Sequence, residues 1–297
     1  MQNTRSLLPI AATVAGIATF SAMDAAMKGA AIIAGVYTAT LLRSVFGVVI
    51  MLTVWTFAGR RIAGRAALRV HIQRALVTSA MAPLFFYGLV RIPFAEAIAL
   101  SFIAPLIALY FAAVILKETI RPDAILASVM GIAGVAVIGT ARFGGGDYSP
   151  DAASGITALL VSAVLYALNI VLQRKQALLA DPTEIALAQN VIMSMVLALA
   201  APWLFTWPET EALVQIWLGA ALATVALLLL SWAYARAEAQ TLVPIEYTAF
   251  LWAALLGWLR FGEDVDATTF LGAALIVIGC LIASRRAVNR PLTPPAP

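Results

Sequence analysis

Four ionisable residues stand inside long apolar runs of this sequence: Asp24, Lys28, Arg43 and Glu246. A charged side chain at the centre of a bilayer costs about 2.5 to 3.5 kcal/mol on insertion scales. Each therefore needs compensation from another side chain, from water in a cavity or from a bound solute. An amphoteric solute such as an amino acid needs an anion for its amine and a donor for its carboxylate. Glu246 and Arg43 supply that pair if both face one cavity.

Each position carries a plainer reading beside this one. Asp24 and Lys28 are one helical turn apart, so they either neutralise each other near a helix end or contact solute. Arg43 lies inside the second apolar run, flanked by Thr40, Leu41, Leu42 and Val45. It either snorkels to headgroups or pairs with Asp24 or a substrate carboxylate, and the second reading is preferred. Glu246 sits in Val243-Pro244-Ile245-Glu246-Tyr247, where the proline favours a helix start or a break that turns carbonyls toward a cavity. It binds an amine, carries a proton if burial raises its pKa, or reaches water at the interface. Glu96 reads as interfacial.

Neutral polar groups extend the candidate substrate-binding set to Tyr87, Ser101, Tyr166, Asn169, Gln189, Trp232 and Tyr247. Gln173 and Asn190 offer further hydrogen-bonding groups, although such residues also simply join helices. Aromatic residues in apolar helices more often pack than bind. Trp203, Trp207 and Trp217 read as an interfacial belt.

The elements that must position these groups are membrane helices. The chain is 63% hydrophobic and 11% charged over 297 residues, where soluble domains carry roughly 25% charged residues. Its mean hydropathy is +0.96. A water-soluble fold is excluded, and at about 20 apolar residues per crossing the length suits about ten crossings. The predicted spans are Leu7–Met27, Val36–Phe57, Ala75–Val90, Phe94–Leu116, Ala124–Thr140, Gly155–Leu172, Glu184–Phe205, Leu213–Ala233, Leu242–Leu259 and Thr268–Ser284. The fold expected is all-α and integral to the membrane.

Arginine and lysine set the orientation. Arg5, Arg60, Arg61, Arg65, Arg69, Arg74, Lys117, Arg121, Arg174, Lys175, Arg236, Arg285, Arg286 and Arg290 gather on one side, while Asp147, Asp151, Glu209, Glu211, Glu263, Asp264 and Asp266 fall on the other. Both termini are expected in the cytoplasm. The net charge of +4 then reflects topology, and no nucleic-acid partner is expected. The first apolar run reads as a retained helix, not a cleaved signal.

A shift of about 145 positions places Arg91 on Arg236, Glu118 on Glu263, Gly134 on Gly279, Asp24 on Asn169 and Lys28 on Gln173. Rare polar positions coinciding at one offset point to an internal repeat. With five crossings in each repeat, the halves, 1–144 and 145–297, enter the membrane from opposite sides. Inverted repeats of this kind build alternating-access transporters with a midplane site. Phe143-Gly144-Gly145-Gly146-Asp147 reads as the connector and lacks the lysine of a phosphate loop. Gly131, Gly134, Gly272 and Gly279 permit close helix contact.

The pattern resembles the drug/metabolite transporter superfamily, and within it the ten-helix EamA family. The likeness rests on Ala95-Glu96-Ala97, Phe102-Ile103-Ala104-Pro105-Leu106 and Leu116-Lys117-Glu118, followed by Gly131 and Gly134. The second copy runs through Ala237-Glu238-Ala239, Tyr247-Thr248-Ala249 and Arg260-Phe261-Gly262-Glu263 to Gly272. The resemblance covers the whole chain and implies a bacterial inner-membrane transporter. It further suggests a YddG-like exporter of aromatic and other neutral amino acids, with nucleosides, S-adenosylmethionine or riboflavin as alternative cargo.

An enzyme is the weaker reading, because the sole histidine, His71, falls in an arginine-rich loop without a paired metal motif, and no serine elbow occurs. A channel or a ligand-binding sensor is the remaining alternative. No cofactor and no metal are expected. Cys280 is the only cysteine. The expected partners are the lipid bilayer and a small-molecule substrate, with the chain a monomer or weak homodimer.

Overall fold

Hydrocarbon offers no partner to a free backbone amide, so apolar runs of this length satisfy their own hydrogen bonds as helix. The computed structural model describes residues 3–57, 59, 64–117, 122–143 and 150–262, and positions 267, 270–272, 274, 275 and 277–279. No strand occurs among them. Glu118, Glu263, Asp147, the connector glycines and Cys280 lie outside the described residues, as does the side chain of Glu96.

The helices are α1 (Asn3–Ala34), α2 (Val36–Phe57), α3 (Arg65–Leu89), α4 (Phe94–Ser101), α5 (Ile103–Phe111), α6 (Pro122–Phe143), α7 (Pro150–Ala177), α8 (Pro182–Ala198), α9 (Ala201–Leu204), α10 (Thr210–Tyr234), α11 (Ala239–Leu242) and α12 (Ala249–Phe261). A π-helical turn, Ala112–Leu116, follows α5, and a 3-10 segment, Val243–Thr248, joins α11 to α12. Among the described residues, Leu7–Ala34, Val36–Phe57, Ala153–Ala177 and Thr210–Tyr234 are each long and apolar enough to cross a bilayer.

Two expectations are corrected by α3. The arginine-rich stretch before Ala75 is helix, because Arg65 to Leu76 carries good helix formers and no proline to stop it. His71, expected in an arginine-rich loop, and Arg74, expected among the cytoplasmic charges, are 2% and 3% exposed.

Proline explains where the predicted spans break. Its ring clashes with the carbonyl four residues earlier and it donates no amide hydrogen. Pro105 and Pro202 stand four residues after the last residues of α4 and α8, Ser101 and Ala198. Pro244 opens the 3-10 segment between α11 and α12. Pro83 is accommodated inside α3, so a proline alone does not decide a break.

The long helices pair across the halves of the chain: α1 runs along α10, α3 along α7, and α2 packs on α8. Small residues bring the pairs close. A Cβ on Gly88 of α3 would lie 2.6 Å from the Gly155 carbonyl oxygen of α7, and one on Gly131 of α6 would lie 2.6 Å from the Tyr247 ring. The outer surface carries large apolar side chains such as Phe57, Leu199, Trp203 and Trp207, which are 88%, 74%, 79% and 82% exposed. Water does not tolerate such a surface and lipid does.

Gly88→Val is expected to destabilise the protein by about 1 to 3 kcal/mol, because the added carbons would meet the buried Leu159 side chain and, behind it, the α7 backbone at Gly155, which cannot give way. The unfolding midpoint in detergent, compared with Gly88→Ala and wild type, checks it.

Candidate functional site

The paired helices leave a cavity of about 190 Å³ between them. Residues of α1, α2, α3, α4, α7, α8, α10, α12 and the 3-10 segment line it. Most of its wall is apolar, with Phe20, Phe85, Phe86 and Phe102 the aromatic contributors beside Tyr166.

On one side stands Glu246, 3% exposed. Its Oε2 accepts from the Tyr166 hydroxyl at 2.5 Å and its Oε1 from the Tyr234 hydroxyl at 3.0 Å. The proline-directed 3-10 segment aims this carboxyl inward, where an uninterrupted α-helix would space its neighbours differently.

Arg74 of α3 forms a second cluster with a row of amides on α7. Its Nε donates to Asn169 Oδ1 at 2.9 Å, one terminal nitrogen to Gln176 Oε1 at 2.7 Å and the other to Gln173 Oε1 at 3.0 Å. Asn169, Gln173 and Gln176 recur at intervals of four and three, one face of a helix. Three neutral oxygens solvate the guanidinium without neutralising it. Beside it, the Gln189 amide donates to the Thr78 hydroxyl.

Asp24 and Arg43 also line the cavity. They attract each other electrostatically, yet they do not form a direct ion pair. One terminal nitrogen of Arg43 meets the Met193 sulfur at 3.8 Å, and its buried Nε has no hydrogen-bond partner. Gln173 Nε2 and Gln189 Oε1 are likewise buried without partners. Among the described residues, none of Asp24, Arg43, Arg74 and Glu246 is held in an ion pair.

The structure thus brings seven of the sequence-predicted candidates to one cavity: Asp24, Arg43, Ser101, Tyr166, Asn169, Gln189 and Glu246. The other four are elsewhere. Lys28 donates to the Ile92 carbonyl at 3.2 Å and lies over the rings of Phe94 and Phe261, at 5.8 and 5.1 Å. Tyr87 and Trp232 lie beneath the guanidinium groups of Arg91 and Arg236, at 3.4 and 4.2 Å. Tyr247 is fully buried against Gly131 and edge-on to Phe102 at 4.9 Å. Each of these four is occupied in packing, which competes with a cavity for any aromatic or amphipathic side chain.

Sequence reasoning missed Arg74 and Thr78. The signal was present: Arg74, Thr78, Ala82 and Phe85 fall on one face of α3 and lead straight into the apolar run. An amide row on α7 also requires a donor-rich partner once it is buried.

Residues 7–140 and 153–285 each match the EamA-like transporter family. The chain belongs to the EamA-like transporter family. Among its relatives is a pseudopaline exporter of Pseudomonas aeruginosa, 29% identical over 90% of this chain and 92% of that one. An aromatic amino acid exporter of Ancylobacter novellus is 27% identical, covering 67% of this chain and 70% of its own. A riboflavin transporter of Rhizobium johnstonii is 28% identical over 78% and 76%. A crystal structure superposes with a TM-score of 0.74 over 96% of this chain and 97% of the other at 22% identity, which establishes a shared fold. In this EamA-like transporter the cavity is lined by residues from both matched segments.

Replacing Arg74 with alanine strands three buried amide oxygens at about 1 to 3 kcal/mol each. The unfolding midpoint of Arg74→Ala is expected to fall well below that of Arg74→Lys, which keeps a cation able to reach part of the row. Parallel melts in detergent decide this.

Proposed function

We propose that this protein is an alternating-access carrier that exports a small amphoteric metabolite, with aromatic and neutral amino acids the preferred class. The observation that carries the reading is the set of two carboxyls and two guanidiniums around one cavity, none closed into an ion pair. A solute bearing both charges completes the set, with its amine toward Asp24 or Glu246 and its carboxylate toward Arg43. Arg43 is the better carboxylate partner than Arg74, because its Nε is unspent whereas Arg74 is engaged by three amide oxygens. The phenylalanine wall suits an apolar side chain.

The architecture belonging to this proposal is ten crossings in two inverted five-helix repeats, residues 1–144 and 145–297, with both termini cytoplasmic in a bacterial inner membrane. The exchange of packing partners supports it. Swapping the halves converts the pair α1 with α10 into α7 with α3 and leaves α2 with α8 unchanged. Carriers of this build rock one half against the other around a central site.

Relatives with other cargo favour a second reading within the same class, a carrier of riboflavin or S-adenosylmethionine. Thermal shift of the purified protein against L-phenylalanine, L-tryptophan, riboflavin, S-adenosylmethionine and nucleosides separates these. A ligand at a hundred times its Kd stabilises by about 2.7 kcal/mol. Stabilisation by none of the amino acids removes the preferred class. Continuous ion current in a planar bilayer would replace the carrier with a channel.

Arg43→Ala is expected to reduce uptake of the stabilising amino acid into inverted vesicles by about tenfold or more, as loss of one charged hydrogen bond predicts, with folded yield near wild type. Unchanged transport removes Arg43 from the site. If Glu246 carries a coupling proton, Glu246→Gln eliminates the response of transport to an imposed pH gradient. A response that persists in this variant assigns the coupling elsewhere.

A further inference from the structure

Arg74 lines the cavity, and the chain of hydrogen bonds behind it ends on the only histidine of the protein. His71 lies three residues before Arg74 on the same face of α3, ahead of the apolar stretch that starts at Ala75. Its ring is 2% exposed. Nε2 lies 3.2 Å from Glu184 Oε1 of α8, and Nδ1 is in contact with the side-chain nitrogen of Gln176 of α7. Gln176 is fully buried, and its oxygen accepts from Arg74 at 2.7 Å.

These partners fix every proton. A guanidinium has donors only, so the end of Gln176 that meets Arg74 is the carbonyl oxygen. The amide nitrogen then faces Nδ1, and it too has only hydrogens to offer. Nδ1 must therefore accept, and the single ring hydrogen sits on Nε2, directed at Glu184. A second proton on the ring would set N–H against N–H. Turning Gln176 over relieves that contact but aims its amide hydrogens at Arg74. One of the two bonds is lost in either arrangement.

We propose that His71 is a proton-sensing positioning residue: the neutral ring holds Gln176, Gln176 helps hold Arg74 in the cavity wall, and protonation of His71 costs Arg74 one of its three bonds, which loosens the wall and weakens substrate binding. The last step rests on the carrier reading above. The groups that act on the ring are Glu184 from α8, Arg74 on its own helix and the neutral Gln176 amide from α7. Burial holds the ring below the ordinary imidazole range, with Glu184 pulling the other way and Arg74 adding to the depression. The sign follows: the fold favours the neutral form, so this contribution is complete above the unfolded pKa of about 6.5 and is lost as pH falls below it.

The test follows the Nε–Hε resonance of Arg74 in nitrogen-15 spectra of the full chain in detergent, assigned with Arg74→Lys, from about pH 8 to about pH 4.5, a range that runs well below the ordinary histidine pKa. In wild type the resonance is expected to move with a single titration. In His71→Asn, whose Oδ1 still accepts from Gln176 but cannot be protonated, it should stay in place. In parallel, L-phenylalanine affinity is expected to weaken in wild type by up to about tenfold per pH unit and to fall less steeply with pH in His71→Asn. A resonance that is static in wild type, or that titrates equally in both proteins, overturns the proposal; should His71→Asn fail to fold, the His71 ring Cε1–Hε1 resonance of wild type must titrate together with that of Arg74, and separate midpoints overturn it. Absence of L-phenylalanine binding to wild type at high pH overturns the assigned substrate class instead, and the Arg74 resonance still decides the linkage.

Discussion

The site depends on one constraint: Asp24, Arg43, Arg74 and Glu246 are held in a poorly solvated interior and, among the described residues, without a direct ion pair. At low effective dielectric a lone charge is costly, and a direct pair offsets that cost only where its geometry is good and the remaining donors and acceptors are satisfied. The protein does not pair them. It surrounds Arg74 with amide oxygens, Glu246 with tyrosine hydroxyls, and leaves Arg43 beside a sulfur with one nitrogen unsatisfied. Such an arrangement is stable only where the helices around it pack tightly, and the glycine contacts between α3 and α7 provide that rigidity.

The cavity wall is symmetric in position and asymmetric in chemistry. At the offset of about 145 positions, Ser21 corresponds to Tyr166, Asp24 to Asn169, Thr78 to Ala223, Phe85 to Leu230 and Ser101 to Glu246, and every one of these residues lines the cavity. In each pair the two copies carry different groups. A repeat supplies one scaffold twice, while divergence of single side chains places a carboxyl opposite a hydroxyl, or an acid opposite an amide. The result has a polar direction that a symmetric pore would lack.

Much of this was legible in the residues. The apolar runs gave the helices because hydrocarbon leaves the backbone no alternative, and α2 has the bounds its apolar run predicts, Val36–Phe57. Asp24, Arg43 and Glu246 stood out because charge in an apolar run has to be compensated. What stayed hidden has physical causes too. A helix that continues past its apolar run looks like a loop, so Arg74 reads as topological charge and His71 as a loop residue. Tyr87, Trp232 and Tyr247 were indistinguishable from cavity aromatics because the pull of a neighbouring arginine or a facing glycine is a tertiary fact.

The same local device recurs at the ends of α3 and α10, and its two copies differ in an informative way. Arg91 and Arg236 each curl back over the aromatic residue four positions earlier and donate to its carbonyl, at 2.9 and 3.1 Å. Arg91 alone also meets an acid, Asp151 at the start of α7, at 2.8 Å. The counterpart of Asp151 at the repeat offset is Ser6, which has no charge to offer. Asp151 is 70% exposed, and an exposed pair of this kind contributes at most about 1 kcal/mol. That is too weak to lock α3 to α7, so the two matching helix ends share a local device yet differ in how they are tied to their neighbours.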